Sequence, residues 1–217
     1  VSWPGITESG SINNSHMVSA IDLLPTFLDI AEIEEPKGLQ GRTFYPLIKG
    51  KDQDLRNVIF KEYNENAGGF RNPMRGVQTH QYLYLFNPWS NGKRTMATAT
   101  NGTATWKRML ELASKNEGIK KRVNVMRYRT VEELYDIKND PDCLHNLAYS
   151  KSHKKTIKDL RDVLLEWMNK TNDHALVSFK PDDTMAMENY VQSKQIESDK
   201  RRKKKKRSAN TKSKASS

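Results

Sequence analysis

Met74-Arg75-Gly76-Val77-Gln78-Thr79-His80-Gln81-Tyr82-Leu83-Tyr84-Leu85-Phe86 is the stretch that decides the fold class. Two runs of strand-forming residues flank a short polar turn, which predicts antiparallel strands over 74–78 and 82–86. In the second strand Tyr82, Tyr84 and Phe86 share one face, while Leu83 and Leu85 share the other. Both faces of this strand are apolar.

Working outward, Val58 to Tyr63 predicts a strand before the hairpin and Glu133 to Ile137 a strand after it, closed by the turn at 138–142. Helices are expected over 103–115, with Trp106, Met109, Leu110 and Ala113 on one side and Gly118 beyond the end, and over 152–169. The second of these repeats Ile157, Leu160, Leu164, Trp167 and Met168 at helical spacing. Nearer the start, Val1 to Gly5 reads as a strand entering a turn. Asp22 reads as the N-cap of a helix whose apolar face is Leu24, Phe27, Leu28 and Ala31. The connector 41–50 is expected to bury Phe44, Leu47 and Ile48. The order of elements is that of an α+β fold, a small antiparallel sheet packed with helices on one face.

The 217 residues include 37 Lys+Arg and 26 Asp+Glu, a net charge of +11. From Lys194 onward there are 11 basic and 2 acidic residues, a net of +9, which leaves only +2 for residues 1–193. The excess therefore belongs to the end of the chain, where Lys200 to Arg207 are eight consecutive basic residues. From Lys180 the apolar pattern weakens, and 180–217 is expected to be a disordered basic tail. The eight-residue run suits a polyanion such as nucleic acid and resembles a nuclear localisation signal, though it has no interleaved aromatics for stacking.

No stretch has the apolar length of a membrane span. The single cysteine, Cys143, cannot form an internal disulfide. The five histidines (16, 80, 145, 153 and 174) never pair at helical ligand spacing, and no Gly-x-Ser-x-Gly elbow or phosphate-cradling loop is present. Composition and spacing alone give no catalytic constellation.

Two stretches resemble a known family. Val18 to Ala31 followed by Gly41-Arg42-Thr43-Phe44-Tyr45-Pro46-Leu47-Ile48-Lys49-Gly50 is similar to the segment after the catalytic core of type I sulfatases. Glu133-Leu134-Tyr135-Asp136, Asn139-Asp140-Pro141 and His145-Asn146-Leu147-Ala148 resemble the signature of their C-terminal subdomain. The likeness covers about residues 1–179 and is strongest to the heparan N-sulfatase (sulfamidase) subgroup, through Pro73 to Gln78, Thr105-Trp106-Lys107 and Leu160 to Asp173. His174 departs from the proline common at that place.

The resemblance implies the C-terminal part of an alkaline-phosphatase-like enzyme that hydrolyses sulfate esters or sulfamates. In its terms, 1–50 would end the catalytic domain and 51–179 would be the C-terminal subdomain. It also implies a calcium ion and a formylglycine made from Cys in Cys-x-Pro-x-Arg. Cys143 is followed by Leu144-His145-Asn146-Leu147, so both groups are expected upstream of Val1 and this piece alone is expected to be inactive. A phosphatase or phosphodiesterase of the same superfamily is the alternative.

Arg75 is the first candidate for contact with a sulfated saccharide, because a guanidinium matches sulfate and carboxylate bidentately; Gln78 and His80 follow. The other reading of Arg75 is that it pairs with an acidic neighbour and holds the subdomain together. The family's extracytoplasmic setting carries over as an expectation. Asn13, Asn101 and Asn169 stand in glycosylation sequons.

Overall fold

A computed structural model describes residues 1–66, 68–180 and 182–215, with side chains through 204; the last part of the basic run thus lies outside the described side chains. The chain forms two compact units, Val1–Ile59 and Phe60–Ser217. The division falls just after the extended connector 51–58, nine residues beyond the expected boundary at residue 50.

The first unit contains helices α1 (Leu23–Ile30) and α2 (Tyr45–Ile48). Its opening is a turn and not the expected strand. The Trp3 carbonyl accepts hydrogen bonds from the amides of Ile6 and Thr7, and the Trp3 amide donates to the Thr7 hydroxyl, which closes the backbone on itself. Helix α1 forms where the spacing predicts it, and part of its apolar face is open. Leu24 and Phe27 are 50 % and 60 % exposed, whereas Pro25 and Thr26 are buried. Polar bonding sets this orientation: Thr26 donates its hydroxyl to the Asp22 carbonyl (2.6 Å) and accepts the Phe44 amide (3.0 Å).

Asp22 precedes α1, but its carboxylate does not cap it. It accepts the amides of Ser19 (2.7 Å) and Arg42 (3.0 Å) and a bidentate pair from Arg56 at 2.6 and 2.8 Å. Burial alone would raise the Asp22 pKa, but these donors outweigh it and the carboxyl lies below its ordinary value. The connector 41–44 is thereby drawn against α1. Of the three residues expected to be buried there, Phe44 is buried while Leu47 and Ile48 are half-buried. A Cβ on Gly41 would overlap the Ile21 carbonyl oxygen and lie 2.7 Å from its carbon. Gly41→Ala is therefore expected to destabilise this unit by about 1–3 kcal/mol in urea unfolding, because backbone and not a flexible side chain must move.

The second unit is built on a four-stranded sheet in the order β1-β2-β3-β4 (Ile59–Glu65, Arg71–Gln78, Tyr82–Phe86 and Glu132–Asp136). The β2–β3 and β3–β4 pairs are antiparallel, with Arg75 opposite Phe86, Val77 opposite Tyr84, and Tyr84 opposite Leu134. The hairpin and its alternation are as expected. Val77, Tyr84, Phe86 and Leu134 form the innermost layer of one face, with no exposed surface.

That face is covered by α5 (Lys154–Lys170) and α6 (Thr184–Ala215). Ile157, Leu160, Leu164 and Met168 of α5 are buried, as their spacing predicts, and Trp167 stacks on Phe60 with ring centroids 4.9 Å apart. Phe179 meets Phe86 edge-on at 4.8 Å. Helices are not confined to that one face, contrary to expectation: Arg122, Val125 and Met126 of α4 (Glu117–Tyr128) line a cavity with Leu83, Leu85 and Tyr135 of the other face, and α3 (Ala104–Ala113) packs on α4. Helix α3 ends within two residues of the expected Lys115; Asn116 then accepts the Ile119 amide and starts α4, a further helix with Gly118 in its first turn.

Over Thr184–Ala215 helix α6 stands where a disordered tail is expected; residues 181, 216 and 217 of that tail lie outside the described residues. The first half of α6 packs on β2 with Met187, Tyr190, Val191 and Ser198 buried, a face too sparse to show against the surrounding charges.

Candidate functional site

The sequence singled out Arg75, Gln78 and His80 on one hairpin, and the pleat separates them. Arg75 shares a face with Val77, under α5 and α6. Gln78, half-buried at the end of β2, belongs to the opposite face, and His80 is exposed in the turn.

Arg75 is 1 % exposed. Its guanidinium makes a two-pronged pair with Asp173, through Nε to Oδ2 and through Nη2 to Oδ1 at 2.8 Å. Nη1 donates to the carbonyls of Tyr63 (3.1 Å) and Met74 (2.9 Å), and Glu62 lies 3.4 Å from Nη2. This is the geometry of the second reading of Arg75, a buried cation joining β1, β2 and the segment after α5; it does not reach solvent. Burial would raise the Asp173 pKa, but Arg75 and the Ala175 amide more than reverse this, and the carboxyl sits below its ordinary value.

Next to this pair, His174 Nδ1 and the Tyr190 hydroxyl are hydrogen-bonded at 2.8 Å. Desolvation and then the charge of Arg75 lower the His174 pKa, and desolvation pushes Tyr190 up to about 12. Both are therefore neutral near pH 7, and the bond ties the post-α5 loop to α6. On the same face Arg161 grips Glu132 through three contacts of 2.6–3.0 Å, and the Tyr84 hydroxyl donates to Glu132 at 2.6 Å.

The other face holds a second buried carboxylate, which the sequence did not flag. Glu133 accepts from Arg129 (2.6 Å), the Tyr135 hydroxyl (2.9 Å), Asn87 (3.1 Å) and the Thr130 amide (3.3 Å). Arg129 takes a left-handed backbone (φ 53) to make this pair where α4 ends. Beside it a cavity of about 110 Å³ is lined by Leu83, Leu85, Arg122, Met126, Arg129 and Cys143, among others. The Cys143 thiol is pushed up by burial and by the Asp140 charge, so it stays protonated and is a poor nucleophile.

Among the described residues no group of three His, Cys, Asp or Glu side chains is placed to hold a metal ion, and no helix is long and apolar enough to cross a membrane. The side chains that are gathered are ion pairs that knit strands to helices.

Residues 1–91 match the family model described as N-sulphoglucosamine sulphohydrolase, C-terminal. An ulvan-active sulfatase of Formosa agariphila is 30 % identical over 173 residues, which is 79 % of this chain and 32 % of the relative. The chain is a sulfatase C-terminal region. The human N-sulphoglucosamine sulphohydrolase is 26 % identical to it, over 79 % of this chain and 38 % of its own length. The sulfatase region thus spans about a third of these relatives. Its fold also matches part of a solved 2-O GAG sulfatase, with a TM-score of 0.54 at 22 % identity over 78 % of this chain and 29 % of that one.

Proposed function

We propose that this sulfatase region belongs to an enzyme that hydrolyses sulfate esters or sulfamates of a sulfated saccharide, heparan-type glycosaminoglycan being the first candidate. The match of residues 1–91 to the C-terminal part of N-sulphoglucosamine sulphohydrolase carries the proposal. The ulvan-active and 2-O GAG sulfatase relatives support the broader class of sulfated polysaccharides. An extracytoplasmic site of action goes with that substrate class.

Within such an enzyme this chain contributes shape and support. The Cys143 context is not Cys-x-Pro-x-Arg, Asp173, Glu133 and Glu132 are engaged by Arg75, Arg129 and Arg161, and no three His, Cys, Asp or Glu side chains converge among the described residues. The residues present therefore do not fit a calcium site or a formylglycine, and no step is routed through either group. Nucleophile and metal ligands are assigned to sequence upstream of Val1, and the 217-residue chain alone is inactive on this reading.

Arg75 is then a positioning residue. His80 and Gln78, at the accessible end of the hairpin, remain the proposed saccharide contacts. Release of inorganic sulfate by the full-length parent from N-sulfated, 2-O-sulfated and 6-O-sulfated glucosaminides and uronides assigns the bond. His80→Ala in that parent is expected to raise KM about three- to tenfold, the loss of one polar contact of roughly 1 kcal/mol, with Tm unchanged. An unchanged KM removes His80 from the proposed pocket.

A further inference from the structure

The basic run does not follow the folded part as a loose end; it continues helix α6, and its start is fastened to the sheet. Ser198 has no exposed surface, and its hydroxyl lies within hydrogen-bonding distance of the Gly69 carbonyl (3.0 Å) and Glu65 (3.1 Å). Gln195 donates to the Gly69 carbonyl at 3.2 Å and accepts the Arg71 amide at 3.0 Å and the Arg94 guanidinium at 3.1 Å. One turn on, Arg201 pairs with Glu65, which also meets Arg71 at 3.1 Å. Arg202 passes over Gly69, whose φ of +79 and lack of a side chain make the room; a Cβ there would lie 2.5 Å from Arg202 Cδ.

The eight cations of Lys200–Arg207 then follow along about 12 Å of helix axis, at 1.5 Å per residue. No acidic residue occurs after Asp199. Like charges at i,i+4 repel by a few tenths of a kcal/mol per pair, so the run carries repulsion that a polyanion relieves while releasing condensed counterions. The positive field is therefore held at a fixed place beside the β1–β2 turn by a helix anchored on its first half.

We infer that this basic extension of α6 is a docking segment for a sulfated polysaccharide chain. The inference rests on the proposed function for the class of polymer. Charge complementarity commits it to a polyanion. The absence of any aromatic residue after Tyr190 leaves nothing for nucleobases to stack on and so argues against single-stranded nucleic acid. The segment would hold the polymer by charge, independently of the bond that is cleaved, and would matter for long chains and not for monosaccharides.

The test is binding of the 217-residue chain to size-defined heparin fragments and, in parallel, to duplex DNA of matched charge over a range of salt. The chain is expected to bind heparin at physiological ionic strength, more tightly as fragments lengthen and more tightly than DNA. Changing Arg202, Lys203, Lys205 and Lys206 together to Gln is expected to weaken heparin binding at least tenfold and to flatten the salt dependence by about three to four charges. Gln keeps helix propensity. A truncation after Asp199, which retains the Ser198 and Gln195 anchors, gives the same reading if the quadruple variant misfolds.

Unchanged binding in both variants overturns the inference. So does DNA binding equal to or tighter than heparin, which would make the partner a nucleic acid. Because the readout is binding, a parent without sulfatase activity whose tail still prefers heparin refutes the proposed function and leaves the docking segment standing.

Discussion

Arg75→Ala is expected to cost the second unit about 3–5 kcal/mol, the range found when one partner of a buried ion pair is removed. For a unit of this size that lowers Tm by roughly 10 °C. The truncation leaves Asp173 as a buried charge with only the Ala175 amide as donor, and it frees the carbonyls of Tyr63 and Met74. Arg75→Lys is expected to recover little, since a single ammonium cannot serve both carboxylate oxygens and two carbonyls. The double change Arg75→Met with Asp173→Leu is expected to recover more than either single variant, because no unpaired charge is left behind. A normal Tm with a raised KM in the parent enzyme would instead place Arg75 against substrate.

The same pair gives a pH dependence of definite sign. Asp173 has a folded pKa below its ordinary 3.8, so folding favours the ionised form. The pair's contribution is therefore complete above the unfolded value and is lost as pH falls through it towards the lower folded value. The stability gap between wild type and Arg75→Ala is expected to be constant from neutrality to about pH 5 and to narrow below about pH 4. A gap that widens on acidification contradicts this assignment.

Glu133→Ala is the second large effect, expected at about 3 kcal/mol, towards the bottom of the range for a broken buried pair. Glu133 is 1 % exposed and accepts from four donors, all of which lose their partner at once. Arg129 keeps some access to water, which holds the loss down. The variant also releases the constraint that keeps Arg129 in its left-handed backbone. Glu133→Gln, which retains an acceptor oxygen, is expected to fall between the two in urea unfolding. Equal stability of Glu133→Ala and wild type would mean that the carboxylate is not what closes α4 onto the sheet.

What was legible in the sequence was what repeats with a period. The 74–86 hairpin, the strand at Glu133 and helix α5 each present apolar residues at spacing two or at spacing three and four, and each is found. Helices α4 and α6 bury too few apolar side chains for that signal: Val123 in α4, and Met187, Tyr190 and Val191 in α6. Asn116 followed by Glu117 was a readable start for α4; the pattern Met187, Tyr190, Val191 was a weaker one for α6.

The site was less legible than the fold. Arg75 stood out as a chemical group, but its partner Asp173 is 98 residues away and was placed only by folding. Glu133 read as part of a strand, and nothing in its neighbourhood announced the convergence of Asn87 and Arg129. The apolar stripe of α1 is legible as a stripe; that Thr26 and not Phe27 is buried follows from the hydrogen bonds of Asp22 and Thr26, which no spacing announces.

The central claim, that this chain is the supporting C-terminal region of a sulfatase, is tested most directly by inorganic sulfate release. The full-length parent and the 217-residue chain are to be assayed side by side on a sulfated glycosaminoglycan oligosaccharide, with a phosphate monoester as the competing substrate. Sulfate release by the parent well above its phosphate release, and none by the chain alone, is expected. Sulfate release by the chain alone, or a parent that cleaves only the phosphate ester, would contradict it.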